Sequence, residues 1–224
     1  MSYRVLSIEG EKAFVSRRND VRRARLQREN GEELACLCKI YGRQQALQWE
    51  QRLLGALAKA GLLVPEVLLA QRDRLFISLL PGQNYTQLLE DLERENPLDE
   101  ERPQKALVAL LSWLKDYRKA TGGLLRGDVN LRNFLYYEGT CAGLDFEEAM
   151  EDGPIETDLG KIKAFMLAYE PAFSPYKQRL GAIWDKLCAE SGADKEAIRQ
   201  AYLRELAAIE GRRGQTMPDF AREL

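Results

Sequence analysis

The sequence predicts an α+β protein of two lobes, a small antiparallel sheet with one helix followed by a mainly helical half. In the first 80 residues, short apolar or alternating runs are separated by turn residues, which is typical of strands. In the remainder, apolar residues recur mostly at helical spacing. Because Pro81 and Gly82 interrupt the chain between these patterns, we expect lobes at 1–81 and 82–224.

The first lobe is expected to contain hairpins and one helix. Turn signals at Gly10, at Asn19 and Asp20, and at Asn30 and Gly31 separate strand-like runs at 4–8, 12–16, 23–27 and 33–41. Leucines at helical spacing then predict a helix over 44–60 that ends at Gly61. Two further strands should flank a turn at Asp73.

The second lobe is expected to be helical apart from residues 124–148. Its predicted helices cover 86–95, 101–119, 155–169, 175–191 and 195–209. A hairpin at Glu138 and Gly139 should lie between a loop at 124–137 and a second loop at 143–148.

Composition excludes several kinds of chemistry. The 224 residues carry a formal net charge of −2 and no histidine, which removes Ser-His-Asp and Cys-His catalysis. Of four cysteines only Cys36 and Cys38 are close in sequence, so buried, reduced thiols are expected rather than a zinc site. Without a long apolar run or a signal pattern, we expect no transmembrane segment and a cytoplasmic protein.

Candidate site residues cluster in the stretch LLRGDVNLRNFLYYEGTCAGLDFEE, residues 124–148. Asp128 precedes Asn133 by five residues, and Asp145 follows an apolar run. A loop carboxylate can accept a proton from a hydroxyl, and an amide oxygen with a carboxylate can share Mg²⁺ with nucleotide phosphates. Taken singly, Asp128 and Asn133 also suit an ordinary turn or cap.

The first lobe offers a matching cation. Lys39 lies in the apolar strand ELACLCKIY, and Glu50 is the only acid in the predicted helix. Because an unpaired buried charge is costly, a Lys39–Glu50 ion pair is the simplest interpretation. The alternative places Lys39 at a strand edge and Glu50 in solvent. Ser78 and Leu80, just before the Pro-Gly break, are expected to present backbone groups to an adenine, although a plain strand-to-helix turn fits too.

These motifs resemble those of the protein-kinase-like superfamily over residues 12–169. The chain is most similar to the small bacterial branch of aminoglycoside phosphotransferases and lipopolysaccharide sugar kinases, and it is also similar to atypical kinases of the RIO type. LRGDVNLRNFL is similar to the family's H-G-D-x-x-x-x-N-x-L, LDFEEA to its I-D-F-E/D, and LLPGQNYTQLL to its hinge. ETDLGKIKAF resembles the helix that follows.

The resemblance implies a role for each residue, with ATP and Mg²⁺ as cofactors. Asp128 would position or deprotonate the acceptor hydroxyl. Asn133 and Asp145 would hold Mg²⁺, with Glu147 as a further ligand. Lys39 would contact the phosphates while Glu50 orients it, Ser78 and Leu80 would contact the nucleotide, and Asp158 would brace the catalytic loop.

The sequence departs from the family pattern at four points. It lacks G-x-G-x-x-G and has only Gly10 in the first hairpin, and Leu37 replaces a small residue next to adenine. Glu147 replaces the glycine of D-F-G. Arg126 stands where the family has histidine, so we expect it to act on Asp128 or on a phosphate.

The acceptor is expected to be a hydroxyl of a small molecule such as a sugar, an aminocyclitol or a lipid headgroup. Only 12 residues separate Asp145 from Asp158, which leaves no room for an activation loop, and Asn130 replaces the lysine of protein kinases. Two alternatives remain open: a RIO-like protein kinase or ATPase acting in a complex, and a pseudokinase scaffold.

Two charged clusters bear on partners. An acidic cluster could recognise a cationic acceptor or enclose the metal; it comprises Asp145, Glu147, Glu148, Glu151, Asp152, Glu156 and Asp158. An arginine cluster could bind nucleic acid or an anionic surface, or simply be solvated; it comprises Arg17, Arg18, Arg22, Arg23, Arg25 and Arg28. The last residues, from 211 on, could line an acceptor pocket or form a loose end.

Overall fold

The computed structural model of the protein describes residues 3–11, 19–147, 151–214 and 216–224. These residues divide into two units, which we treat separately. The first contains residues up to 81 together with 143–147, and the second contains 82–142 and the residues from 151 on. The sequence placed the loop at 143–148 in the second lobe, whereas its described residues pack with the first unit. The predicted strand at 12–16, Arg17, Arg18 and Glu148 lie outside the described residues.

The first unit is built on a five-stranded antiparallel sheet in the order β1-β2-β3-β5-β4. Its elements are β1 (Tyr3–Ile8), β2 (Asp20–Arg28), β3 (Glu33–Ile40), α1 (Gln44–Lys59), β4 (Val67–Gln71) and β5 (Arg74–Ser78). The hairpin between β2 and β3 turns at Gly31, whose φ of +85° suits glycine. The second strand is longer than the predicted run at 23–27, since alternation continues to Asp20.

The register of this sheet determines which side chains share a face. Lys39 in β3 pairs with Val21 in β2 and with Leu75 in β5, so these three side chains lie on one face. The opposite face forms an apolar cluster of Ala24, Leu26, Cys36, Cys38, Leu68 and Phe76. All four cysteines of the chain are free and buried, as predicted.

The second unit is mainly helical. It contains β6 (Gln83–Asn84), α2 (Tyr85–Glu95), α3 (Glu101–Thr121), β7 (Phe134–Tyr137), β8 (Thr140–Gly143), α4 (Glu156–Ala168), α5 (Pro175–Glu190) and α6 (Lys195–Arg213). Strands β6, β7 and β8 form a small sheet in that order. Side chains cap three of its helices, namely Asn84 for α2, Ser174 for α5 and Asp194 for α6. The predicted α+β class and the helical second half are confirmed.

Helix α4 forms the centre of the second unit. It is buried along most of its length and packs closely on α6. At Gly160 an added Cβ would lie 2.5 Å from the Ala201 Cβ and from the Ile198 carbonyl oxygen, so this contact requires glycine. The C-terminal residues are not a loose end, because Met217 and Ala221 belong to the same apolar cluster as Tyr202. Within the described residues, no helix is long and apolar enough to cross a bilayer.

Candidate active site

Lys39 and Glu50 form a buried ion pair in the first unit. The Lys39 Nζ lies 2.9 Å from Glu50 Oε1 and 2.7 Å from Oε2, and the two residues are only 5% and 1% exposed. Strand β3 supplies the lysine, and the buried face of α1, which also carries Leu47, Leu53 and Leu54, supplies the glutamate. The predicted pairing is confirmed, and the solvent-exposed alternative is wrong.

Both oxygens of Glu50 are fully engaged. In addition to Lys39, Oε1 accepts the backbone N–H of Phe146 at 3.2 Å, and Oε2 accepts the Tyr41 hydroxyl at 2.5 Å. A carboxylate offers about four lone-pair positions, and four hydrogen bonds from three donor groups occupy those of Glu50. Glu50 is therefore an orienting group for Lys39 and has no lone pair left for a metal ion.

Asp145 lies on the other side of Lys39. Its Oδ1 is 2.8 Å from the Lys39 Nζ, although 106 residues separate the two in sequence. The side chain of Asp145 is 39% exposed, in contrast to that of Glu50. Its backbone has φ of +58°, an unusual value for a non-glycine residue that is often found at functional sites.

Glu147 completes the acidic group around Lys39. Its Oε2 lies 3.9 Å from the Lys39 Nζ and accepts a hydrogen bond from Asn19 Nδ2. Oxygen atoms of Glu50, Asp145 and Glu147 lie within 4.8 Å of one another. Oxygen donors of this kind suit Mg²⁺, and with Glu50 saturated, Asp145 and Glu147 are the two of these carboxylates that fit as ligands.

The carboxylates of this group stabilise the charged form of Lys39. Burial by itself would lower the pKa of Lys39, but the carboxylates of Glu50 and Asp145 outweigh burial and raise the pKa above its ordinary value. Burial and the adjacent Glu50 likewise raise the pKa of Tyr41, whose hydroxyl stays protonated as a donor. Lys39 therefore carries a permanent positive charge near the half-exposed Asp145.

The predicted hinge residues differ in their availability. The N–H of Ser78 donates to the Glu66 carbonyl at 2.9 Å, and its hydroxyl accepts the Glu66 N–H at 2.9 Å. The N–H and hydroxyl of Ser78 are therefore committed to Glu66, so the predicted contact of Ser78 with a nucleotide cannot use its N–H. Within the part of the chain that the structure describes, the N–H and C=O of Leu80 take no hydrogen bond, so Leu80 keeps both groups for a ligand.

In the second unit, Asp128 and Asn133 lie on one short loop that leads into β7. The Asn133 Nδ2 donates to the Asp128 carbonyl at 3.4 Å, and the Asp128 Oδ1 accepts the Asn130 N–H at 3.3 Å. Among the described residues, none donates a hydrogen bond to the Asp128 Oδ2 or to the Asn133 Oδ1. One carboxylate oxygen and one amide oxygen of this loop therefore remain as acceptors.

Asp158 holds the start of that loop. It lies in the first turn of α4, is 3% exposed, and accepts the backbone N–H groups of Arg126 at 2.6 Å and Gly127 at 3.2 Å. Burial raises the pKa of Asp158, while the two N–H groups and the charges of Lys161 and Arg126 act in the opposite direction. Its position matches the bracing role that the family resemblance implies.

Arg126 does not occupy the position expected of a catalytic group. Its side chain is fully buried, and its guanidinium carbon lies 6.0 Å from the centroid of the Phe134 ring. A side chain with no exposed surface cannot reach a phosphate, so the prediction of a catalytic Arg126 is corrected. Its charge instead acts to lower the pKa of Asp158 inside the second unit.

Two contacts of the site were not predicted from the sequence. Tyr41 is the last residue of the predicted strand at 33–41, and only its spacing of two residues from Lys39 indicated that the two side chains share a face. Asn130 was noted only as a departure from protein kinases, yet its Oδ1 accepts both the Tyr169 hydroxyl at 2.7 Å and the Arg132 N–H at 3.0 Å. No local pattern marks Tyr169 as its partner, because 39 residues separate them.

The charged clusters are largely neutralised within the described residues. Asp20 pairs with Arg22, Glu33 with Arg25, and Glu32 with Arg28. In the acidic cluster, Asp145 contacts Lys39, Asp158 caps the loop, and Glu156 accepts the Asp194 N–H. Most of the described members of both clusters therefore have a partner of opposite charge or a hydrogen-bond donor.

Two solved structures of a kinase have a fold similar to that of this chain. The complex of Rio2 kinase with ADP, Mg²⁺ and phosphoaspartate from Chaetomium thermophilum matches with a TM-score of 0.56 and 19% identity, over 94% of this chain and 73% of that chain. The structure of Rio2 kinase from the same organism matches with a TM-score of 0.52 and 19% identity, over 94% and 74%. The predicted bilobal kinase-like fold is confirmed.

The comparisons go no further than the fold. No family model matches the sequence, and no curated protein matches it either. Neither of the two structures is an aminoglycoside phosphotransferase, so similarity to that branch stays a prediction.

Proposed function

We propose that the protein is a Mg²⁺-dependent phosphotransferase that uses ATP. The observation that carries this proposal is the position of Lys39, bound on one side to a saturated Glu50 and on the other to a half-exposed Asp145. A purely structural ion pair has no need for the second acid. A lysine that grips nucleotide phosphates does need an orienting glutamate and a metal-binding aspartate nearby.

The residues of the first unit would bind the nucleotide. Lys39 contacts phosphate oxygens, and Glu50 keeps it in position through two hydrogen bonds. Asp145 and Glu147 would hold Mg²⁺, which when bound neutralises charge on the phosphates. Leu80 offers its free N–H and C=O to the edge of a purine base.

The residues of the second unit would act on the acceptor. Asp128 takes the proton of the acceptor hydroxyl on Oδ2, while the Asn130 N–H holds Oδ1. The acceptor oxygen forms a bond to the γ-phosphorus as the bond from that phosphorus to the bridging oxygen breaks, and ADP leaves. Positioning and charge neutralisation supply most of the rate, so the loop held by Asp158 must be rigid.

Two acceptor classes fit this chemistry, a small-molecule hydroxyl and a protein. The fold comparison favours the protein acceptor of a RIO-like kinase. Similarity to Rio2 kinase over 94% of the chain supports a RIO-like protein kinase or ATPase. One Rio2 structure contains phosphoaspartate, so an aspartate of this chain is a candidate acceptor as well. The short segment between Asp145 and Asp158 supports the small-molecule alternative, because it leaves no platform for a peptide.

Two measurements test the proposal. Thermal stability with ATP, with and without Mg²⁺, should rise most when both are present, and no rise in either condition would count against nucleotide binding. Incubation with γ-³²P-ATP should then label protein or pooled sugars and lipid headgroups. Label on the protein that hydroxylamine removes indicates an acyl phosphate, whereas resistant label indicates a phosphoester. Nucleotide binding without transfer or hydrolysis would favour the pseudokinase alternative.

A further inference from the structure

An exposed arginine lies on the loop of Asp128 in the second unit. Arg132 follows Asp128 by four residues, and its guanidinium carbon lies 5.7 Å from the centroid of the Tyr169 ring. Its backbone N–H donates to Asn130 Oδ1, which also accepts the Tyr169 hydroxyl. The side chain is therefore held over an aromatic ring, although it is exposed to solvent.

Among the described residues, this arginine has no acidic counterpart. No ion pair joins Arg132 to a carboxylate anywhere in the described ranges, whereas Arg94 and Arg102 of the same unit are each paired. Lys161 adds a second positive charge, donating to the Gly127 carbonyl at 3.3 Å, one residue before Asp128. Burial raises the pKa of Tyr169, and the charges of Arg132 and Arg213 act to lower it.

Lys177 is a second cation next to Tyr169, and unlike Arg132 it is buried. Lys177 donates to the Tyr169 carbonyl at 2.6 Å and to the Pro171 carbonyl at 2.9 Å, and it is 4% exposed. Burial lowers the pKa of Lys177, while the charges of Glu93, Glu90 and Glu170 act in the opposite direction. Arg132, by contrast, is exposed to solvent on the same loop as the proposed base Asp128.

The loop connects this charge to Asp128 through one residue. The Asn130 N–H donates to the Asp128 Oδ1, while the Asn130 side chain holds both Arg132 and Tyr169. A ligand group bound by Arg132 is therefore kept at a fixed place relative to the carboxylate of Asp128. An exposed, pre-positioned guanidinium is suited to bind a phosphate or carboxylate through paired hydrogen bonds.

We propose that Arg132, supported by Asn130 and Tyr169, binds an anionic group on the acceptor, so that the preferred acceptor carries a phosphate or carboxylate near its reacting hydroxyl. This inference rests on the proposed function for the identity of the reacting group. It disfavours the cationic acceptor that the acidic cluster left open, because Asp145 and Asp158 are already engaged by Lys39 and by the loop backbone.

Direct binding to the full-length chain tests the site without requiring transfer. The probes are hexose 6-phosphates with the parent hexoses as neutral partners, and a serine peptide flanked by glutamates with its glutamine counterpart. Calorimetric titration should show tighter binding of an anionic probe than of its neutral partner. Arg132→Gln should weaken that binding by about 10- to 100-fold, the range expected for losing a charge-assisted hydrogen bond.

A second variant separates a bound anion from a general charge effect. Arg204→Gln removes the same charge from an exposed arginine of α6 and should change binding by less than about twofold. Equal binding of charged and neutral probes, or equal losses in the two variants, would overturn the site. Anion binding that depends on Arg132 in a chain that transfers no phosphate would keep the site and reject the phosphotransferase. The probe that binds distinguishes a small-molecule acceptor from an acidic protein segment.

Discussion

The backbone N–H of Phe146 donates to Glu50 Oε1 at 3.2 Å, across 96 residues of sequence. The same oxygen accepts Lys39, and Phe146 is fully buried. Glu50 therefore joins α1, β3 and the segment 143–147 within the first unit. Because Asp145 directly precedes Phe146, this hydrogen bond also fixes the place of the proposed metal ligand.

Replacing Glu50 by glutamine should destabilise the protein strongly. Glu50→Gln leaves Lys39 with only part of its counter-charge, and the amide cannot accept all four of the hydrogen bonds that the carboxylate accepts. Removing one partner of a buried pair typically costs about 3–5 kcal/mol, and we expect about 3 kcal/mol because Asp145 remains beside Lys39. Urea unfolding followed by fluorescence and circular dichroism measures the change. Glu66→Gln, at an exposed position, should lie within about 0.5 kcal/mol of the wild type. Equal effects of the two variants would show that the pair contributes nothing.

Stability should fall in alkaline solution from about pH 9. Burial raises the pKa of Cys36 and of Cys38 from 9.0 to about 11. Between these values the unfolded chain has lost the protons that the folded chain keeps, so stability is full below pH 9.0 and decreases as the pH rises towards about 11. The raised pKa of Lys39 acts in the same direction at higher pH.

The thiol contribution can be isolated by mutation. A Cys36→Ala, Cys38→Ala variant should lose less free energy of unfolding than the wild type between about pH 8 and about pH 10.5, by at most about 2 kcal/mol for each thiol. Leu26→Ala makes a cavity in the same apolar cluster without removing a thiol, so it should keep the whole wild-type loss. A wild-type curve that is flat across this range would contradict the assignment.

Local patterns were sufficient for the elements and for one contact of the site. Alternation placed Lys39 among apolar residues, and the cost of an unpaired buried charge then pointed to Glu50, 11 residues away. The helix from 44 and the turn at Gly31 followed from leucine spacing and turn residues in the same way. These features depend on neighbours in sequence, where periodicity carries the information.

The errors concern contacts that the chain makes over long distances. Arginine is rarely fully buried, so residue type favoured an exposed Arg126, and only the packing of Phe134 and Asp158 around it shows otherwise. The N–H of Ser78 was expected to be available because the chain leaves the sheet there, yet Glu66 pairs with it. Residues 143–147 follow a strand of the second unit but pack with the first. None of these three contacts leaves a periodic pattern in the sequence from which it could be predicted.

Gly160→Ala should destabilise the second unit. The new methyl group would lie 2.5 Å from the Ala201 Cβ and from the Ile198 carbonyl, and the backbone of α6 cannot move aside without losing its packing on α4. We expect a loss of about 1–3 kcal/mol, the usual cost of overpacking, in thermal or urea unfolding. Gly55→Ala is the matched control, since its Cβ would meet nothing within 4 Å in the middle of α1. That variant should gain about 0.5–1 kcal/mol, and a loss at Gly55 as large as that at Gly160 would exclude packing as the cause.

Asp128→Asn should abolish most phosphoryl transfer while leaving nucleotide binding intact. The amide keeps the shape of the side chain and can still accept the Asn130 N–H, so the loop should hold its conformation. It cannot take a proton from an acceptor hydroxyl, and loss of a general base typically lowers the rate by about 10²- to 10⁴-fold. Single-turnover transfer from γ-³²P-ATP measures the rate, and the thermal shift with ATP and Mg²⁺ measures binding.

Asp116→Asn on the exposed side of α3 makes the same chemical change away from the loop and should transfer at the wild-type rate. Full transfer by the Asp128 variant would mean that another group accepts the proton, whereas loss of both transfer and the thermal shift would assign Asp128 to nucleotide or metal binding.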